Sequence, residues 1–143
     1  MPHKPCVFCQ IVRGELSCQR IFEDDDFLAF LDHSPRYPGH SLLIPKVHVQ
    51  TILDLPPDLS APLVARTQRL SRAVEKALDA GGFFVAINNR LGQSVPHLHV
   101  HVIPRRKGDR FSHLFWPRHR YTGDEEAQVR DAIVAALDGE TKA

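Results

Sequence analysis

Three histidines at alternate positions, His97, His99 and His101, carry the clearest chemical meaning in this sequence. In an extended chain, alternate side chains share one face. Leu98, Val100 and Val102 then fall on the opposite face and pack into a core. Besides an ordinary solvated strand surface, two chemical readings fit such a face. In the first, the imidazoles converge on a metal ion. An oxygenase centre of that kind needs a carboxylate ligand as well, and no acidic residue stands near the histidines in the sequence. In the second, the central imidazole is a nucleophile. A neutral ring nitrogen is available around the ordinary pKa of about 6.5, so imidazole attacks phosphorus without prior activation. The flanking rings then bind phosphate oxygens or move protons. The upstream Gly92-Gln93-Ser94 suits the second reading. Glycine admits close backbone approach, and Gln93 and Ser94 offer polar groups to phosphate or leaving-group oxygens.

The elements that must position these residues are legible in outline. Residues 7–13 suit one or two helical turns ending at Gly14. Arg20–Glu23 and Phe27–Leu31 read as a hairpin around the turn Asp24-Asp25-Asp26. Ser41–Ile44 is a third strand, Phe83–Asn88 a fourth and His97–Ile103 a fifth. A long helix spans Ser60–Ala80, with Leu63, Leu70, Val74 and Leu78 on one face, Ser60 as N-cap and Gly81-Gly82 as its stop. A last helix covers Gly123–Leu137. Thr122 and Glu125 have capping-box spacing, and Val129, Ile133 and Leu137 form its apolar face. Hairpins beside one long helix indicate an α+β fold with a mainly antiparallel sheet.

Bulk properties bound the functional class. The 143 residues suit a single domain, and the formal net charge of +1 gives no reason to expect a nucleic-acid polymer or an anionic membrane as partner. No apolar run approaches the roughly 20 residues of a membrane span. MPHKPCVFCQ lacks the apolar core of a signal peptide, so the expected location is cytoplasmic. Three cysteines make no disulfide framework. The Cys6-x-x-Cys9 pair suggests metal or redox work, and Cys18 stands apart.

Several motifs carry a resemblance in the same order along the chain. GQSVPHLHVHVIPR resembles the signature of the histidine triad (HIT) family, His-x-His-x-His followed by two apolar residues. CVFCQIVRGE, FEDDDFLAFLD and SPRYPGHSLLIPKVH resemble the family's N-terminal segment, first hairpin and Pro-Gly-His/Ile-Pro-Lys-x-His stretch. The similarity covers about residues 5–108, with the phosphoramidase branch and bacterial members closest. It implies a HIT-like fold: a five-stranded, mainly antiparallel sheet, one long helix and a C-terminal helix. The domain would occupy residues 1–143, with its core at 5–108 and a basic, aromatic tail and helix at 109–143.

The resemblance also implies roles. His99 would be the nucleophile, attacking the α-phosphorus of an adenosine or other purine nucleotide to give a nucleotidyl-histidine. His101 would contact the phosphate and help protonate the leaving group. Ser94 and Gln93 would touch phosphate or leaving-group oxygens, with Asn88 on the phosphate side. His40 would border the centre and help orient His99. Asp32 would accept hydrogen bonds from the ribose hydroxyls. Cys6, Cys9, His48 and His97 would hold a structural zinc, as in some bacterial members. The protein would be a homodimer with its sheets joined across the interface. Phosphoramidates or acyl-type adenylates are the expected substrates. Dinucleoside polyphosphates of the Ap3A/Ap4A type, or nucleotide binding without turnover, are the alternatives.

The chain departs from the family pattern in three places. Asn88-Asn89-Arg90-Leu91 is a shortened loop without the usual glycine. His33 replaces an aliphatic residue that often lines the base pocket, where Phe30 is a further lining candidate. Arg105, Arg106, Lys107, Arg110, Arg118 and Arg120 cluster near Phe111, Phe115 and Trp116, as either a polyphosphate clamp or a solvated loop with aromatic anchors.

Overall fold

A computed structural model describes residues 5–111 and 118–139. The chain divides after Asp109 into two compact units. In the first, α1 (Val7–Val12) precedes β1 (Arg20–Glu23), β2 (Phe27–Leu31) and β3 (Ser41–Pro45). Two 3-10 turns, Ile52–Asp54 and Pro57–Leu59, lead into α2 (Ser60–Ala77). The strands β4 (Gly82–Ala86) and β5 (Val100–Arg105) follow. The five strands form one sheet in the order β1-β2-β3-β5-β4. Every neighbouring pair is antiparallel, as the sequence predicts.

Strand alternation builds two cores from one sheet. Phe27, Ala29, Leu43, Val100 and Val102 face α2 and meet its Leu63, Leu70 and Val74. Leu28, Phe30, Leu42 and Ile44 face the other way and meet Phe8 and Ile11 of α1. This explains the unbroken apolar runs of β2 and β3, which are buried on both sides. The acidic turn is closed by Asp24, whose Oδ1 accepts the backbone N–H of Asp26 and Phe27 at 2.9 Å each.

Element ends differ from the sequence expectation for local reasons. Ser60 is the first residue of α2 and not its cap, because the Pro57–Leu59 turn leads directly into the helix. The helix stops at Ala77. Asp79 takes the left-handed conformation (φ +48°), ahead of the glycine pair. The ladder of β5 begins only at Val100. Before it, the Leu98 N–H donates to the Val49 carbonyl at 2.7 Å, so His97–His99 are tied to another segment of chain. The alternation survives, with Leu98, Val100 and Val102 buried on the α2 side.

The second unit contains α3 (Glu125–Asp138). The expected Thr122–Glu125 capping box does not form. Asp124 is the N-cap without a side-chain bond, and Glu125 N–H donates to the Thr122 carbonyl at 3.2 Å. Val129, Ile133 and Leu137 are exposed. Phe115 and Trp116 lie outside the described residues. Among the described residues, no helix is long and apolar enough to cross a membrane.

Candidate active site and metal centre

Backbone hydrogen bonds fix the ring tautomers of this site. A carbonyl oxygen has no proton to give, so an imidazole nitrogen bonded to one must carry the hydrogen. His99 Nδ1 lies 2.7 Å from the His97 carbonyl and therefore donates. Its Nε2 is left with a free lone pair. The ring is 2% exposed, and Phe8 packs edge-on against it with centroids 5.1 Å apart. Burial holds His99 below its ordinary pKa of 6.5, against upward pulls from the carbonyl bond and the Asp32 carboxylate. The ring is thus neutral at neutral pH, with Nε2 unprotonated.

His101 has the opposite tautomer, set through His40. The backbone N–H of Arg36 donates to His40 Nδ1 at 3.0 Å. That nitrogen must be the acceptor, so the neutral His40 ring carries its proton on Nε2. His40 Nε2 lies 2.9 Å from His101 Nδ1 and donates to it. His101 consequently carries its proton on Nε2, a buried atom with no partner among the described residues. Burial, then the neighbouring His99 and His40, push the His101 pKa down to about 4. Burial likewise lowers His40. The pair presents a neutral N–H donor beside the neutral His99 ring, whose Nε2 lone pair is free. His40 reaches Asp32 Oδ2 at 3.5 Å, so its polar contacts run to His101 and Asp32 and not to His99.

Asp32 is the carboxylate that the sequence did not place near the histidines. Asp32, His40 and His101 lie close enough to be compared with a metal triad. The Arg36 bond argues against that role, because it commits the His40 nitrogen facing Asp32 to a proton. Asp32 also accepts the Ser34 N–H at 2.9 Å. It borders a cavity of about 450 Å³ lined by Val7, Ile11, Leu16, Cys18, Phe30 and His33. The His33 side chain is 97% exposed there, whereas Phe30 is buried in the core at the cavity floor.

The 88–95 loop is fastened to the segment that follows β3. Gln93 Oε1 accepts the Arg90 N–H at 3.1 Å, and Gln93 Nε2 donates to the Gln50 carbonyl at 2.6 Å. Gln93 therefore holds loop backbone with both ends of its amide. Asn89 Oδ1 accepts the Ile52 N–H at 2.8 Å. Arg90 has φ +69°, so the shortened loop keeps a left-handed residue where the family glycine is missing. Gly92, at φ +76°, lies against the Asn88 side chain. Ser94 is exposed and lines a cavity of about 560 Å³ with Pro5, Cys6, His48 and Gln50. In the basic tail, Arg105 makes a two-pronged pair with Asp109 at 2.6 and 2.7 Å, and Arg106 donates to the Leu78 carbonyl.

A second cluster joins Cys6, Cys9, His48 and His97. Cys6 caps α1 and accepts the Cys9 N–H, which turns both sulfurs to one side. His97 Nε2 donates to the Pro45 carbonyl at 2.8 Å, leaving its Nδ1 lone pair facing the cluster. From that Nδ1 the distances are 3.4 Å to Cys6 Sγ, 3.6 Å to Cys9 Sγ and 3.2 Å to His48 Nδ1. Cys9 Sγ lies 3.3 Å from His48 Nδ1. A tetrahedral zinc with bonds of about 2.3 Å to sulfur and about 2.0 Å to nitrogen separates its ligands by roughly 3.3 to 3.8 Å. The donor set and spacing fit zinc. Sequence reasoning missed Phe8, which packs edge-to-face with both His97 and His99 from the helix that Cys6 caps and Cys9 lies in. Its place in Cys-Val-Phe-Cys was the available signal.

The HIT domain family model matches residues 13–108. The chain belongs to the HIT domain family. It is 42% identical over 106 residues to adenylylsulfatase HINT3 of Arabidopsis thaliana, covering 73% of this chain and 54% of that protein. A HIT family member from Bacillus subtilis superposes with a TM-score of 0.84 at 28% identity, covering 98% of this chain and 100% of the other. A Zn-bound histidine triad family protein from Mycobacterium smegmatis is 39% identical with a TM-score of 0.71, covering 95% of this chain and 98% of that one. This HIT chain thus combines the family fold with a cluster suited to zinc.

Proposed function

We propose that this HIT protein hydrolyses or transfers purine nucleotides by attack of His99 Nε2 on the α-phosphorus. The observation that carries the reading is the bond from His99 Nδ1 to the His97 carbonyl, which leaves Nε2 as a buried, unprotonated nucleophile. The Nε2–P bond forms as the bond from phosphorus to the leaving group breaks. The His101 Nε2–H donates to the departing atom or to a phosphate oxygen. Water then attacks the phosphorus of the nucleotidyl-histidine, and the Nε2–P bond breaks with its electron pair returning to His99. The proton lost by water replaces the one given to the leaving group as the nucleoside monophosphate departs. Ser94 contacts the leaving-group side. Asp32 holds the ribose at the mouth of the cavity that receives the base. Gln93 acts by fixing the loop.

Phosphoramidates and mixed anhydrides of adenylate are the substrate class. The likeness to an adenylylsulfatase supports the second of these. Zinc bound by Cys6, Cys9, His48 and His97 supplies a cross-link, since four protein ligands leave no open position for chemistry. Among the described residues the outer edge of β4 has no strand partner, and Phe83 and Val85 are exposed beside Val64 of α2. A second copy paired along that edge covers them and makes the homodimer.

The test is release of AMP from adenosine 5′-phosphoramidate by wild type and by His99→Ala. The expected result is turnover by wild type and a loss of at least about 10³-fold in the variant, which keeps AMP binding. Comparable turnover by both removes the nucleophile.

A further inference from the structure

The centre described so far contains three neutral histidines and a carboxylate. An amine leaving group suits it, since an amine departs neutral once a proton reaches it. Sulfate or phosphate departs as an oxyanion that keeps the bonding electron pair, and a fixed cation stabilises that charge directly. The Arg36 backbone N–H lies 3.0 Å from His40 Nδ1, and the other His40 nitrogen touches His101. The Arg36 Cα follows that backbone nitrogen by about 1.5 Å. The guanidinium therefore rises on a stem rooted at the edge of the centre. Arg36 is exposed, and its side chain has no hydrogen-bond or ion-pair partner among the described residues. Two other cations are engaged elsewhere: Lys46 pairs with Glu23 at 2.8 Å and Arg66 with Asp24 at 2.9 Å.

We propose that Arg36 binds the anionic leaving group of substrates whose α-phosphorus carries sulfate or phosphate, and so selects oxyanion over amine leaving groups. The proposal rests on His99 as nucleophile. The His99 Nε2–P bond forms, the P–O bond to the leaving group breaks, and the oxygen leaves with the electron pair against the guanidinium. Nothing is oxidised or reduced. The Arg36 charge also lowers the proton affinity of both His40 and His101.

The test compares kcat/KM of wild type, Arg36→Ala and Arg36→Lys on adenosine 5′-phosphoramidate, adenylyl sulfate and ADP. Ratios between substrates cancel any change in the fraction of folded enzyme. Arg36→Ala is expected to lower kcat/KM for an oxyanion substrate by about tenfold or more relative to the phosphoramidate, with Lys restoring part of it. Loss confined to adenylyl sulfate or to ADP names the anion bound. Equal loss on all three substrates overturns the proposal, as does no loss on any, or a wild type that cleaves only the phosphoramidate. A wild type that forms no nucleotidyl-His99 with any substrate fails the nucleophile reading itself, and that is scored separately by mass spectrometry.

Discussion

His99 and His101 stand two residues apart, yet they have opposite tautomers because different backbone groups hold them. The His97 carbonyl takes the proton of His99 Nδ1, while Arg36 N–H acts through His40 to put the proton of His101 on Nε2. Nitrogen-15 spectra of the histidine rings should show those two states at neutral pH. His101 should stay neutral down to about pH 4. Its folded pKa lies below the ordinary 6.5, so unfolded chains bind the proton first as pH falls. The stability linked to this ring is full above pH 6.5 and is lost as pH falls towards about 4. His101→Asn should therefore lose less Tm than wild type across that window. A His101 midpoint at or above 6.5, or identical slopes, contradicts the burial argument.

At the scale of elements, the pattern of the strands made the histidine face, the core behind it and the antiparallel sheet legible in advance, whereas the second core against α1 emerges only from the fold. His97, His99 and His101 were recognisable because spacing alone fixes a shared face. Asp32, His40 and Arg36 were harder to place together, since a loop brings them to the histidines and no periodicity marks it. The bonds of the Gln93 amide to Arg90 and Gln50 backbone were likewise unmarked, since only the folded loop brings those groups together. Gly39 shows how tightly that architecture is built. It has φ +96°, and a Cβ there meets Leu78 Cδ2 at 2.8 Å and Pro104 Cγ at 3.3 Å. Gly39→Ala should cost about 1 to 3 kcal/mol and lower kcat, because His40 is the next residue. A denaturant melt and steady-state kinetics check both, and an unchanged variant contradicts the role of this turn. Phe8 links another element to the chemistry, since α1 carries the cysteines and also the ring against His99. Cys9→Ser should lose the metal and lower Tm by about 5 °C or more. Metal analysis and calorimetry read this out, and full zinc content in the variant removes the site.

For the whole molecule, the open question is what covers the β4 edge. A groove of about 410 Å³ runs between α2 and β4, lined by Leu63, Val64, Phe83 and Val85. Ser71 lines it too, with a buried hydroxyl that has no partner among the described residues. Exposed apolar edges of this kind are either covered or prone to aggregate. Val85→Lys should convert a dimer to a monomer by light scattering while leaving the metal bound. A wild type that is monomeric at micromolar concentration contradicts the proposed assembly. The two units on either side of Asp109 differ in legibility as well. Family motifs cover the first, whereas the second gave only composition and the pattern of its helix; of the basic cluster, Arg105 and Arg106 belong to the first unit and are held by Asp109 and by the Leu78 carbonyl.

The proposed chemistry requires a covalent bond between His99 and the nucleotide. Wild type and His99→Ala should be mixed with adenosine 5′-phosphoramidate, quenched in base within milliseconds to seconds, and measured by intact-protein and peptide mass spectrometry. One adenylyl group is expected on wild-type protein, mapped to His99, and none on the variant. An adduct on another residue, or AMP release by the variant at the wild-type rate, contradicts the proposed chemistry.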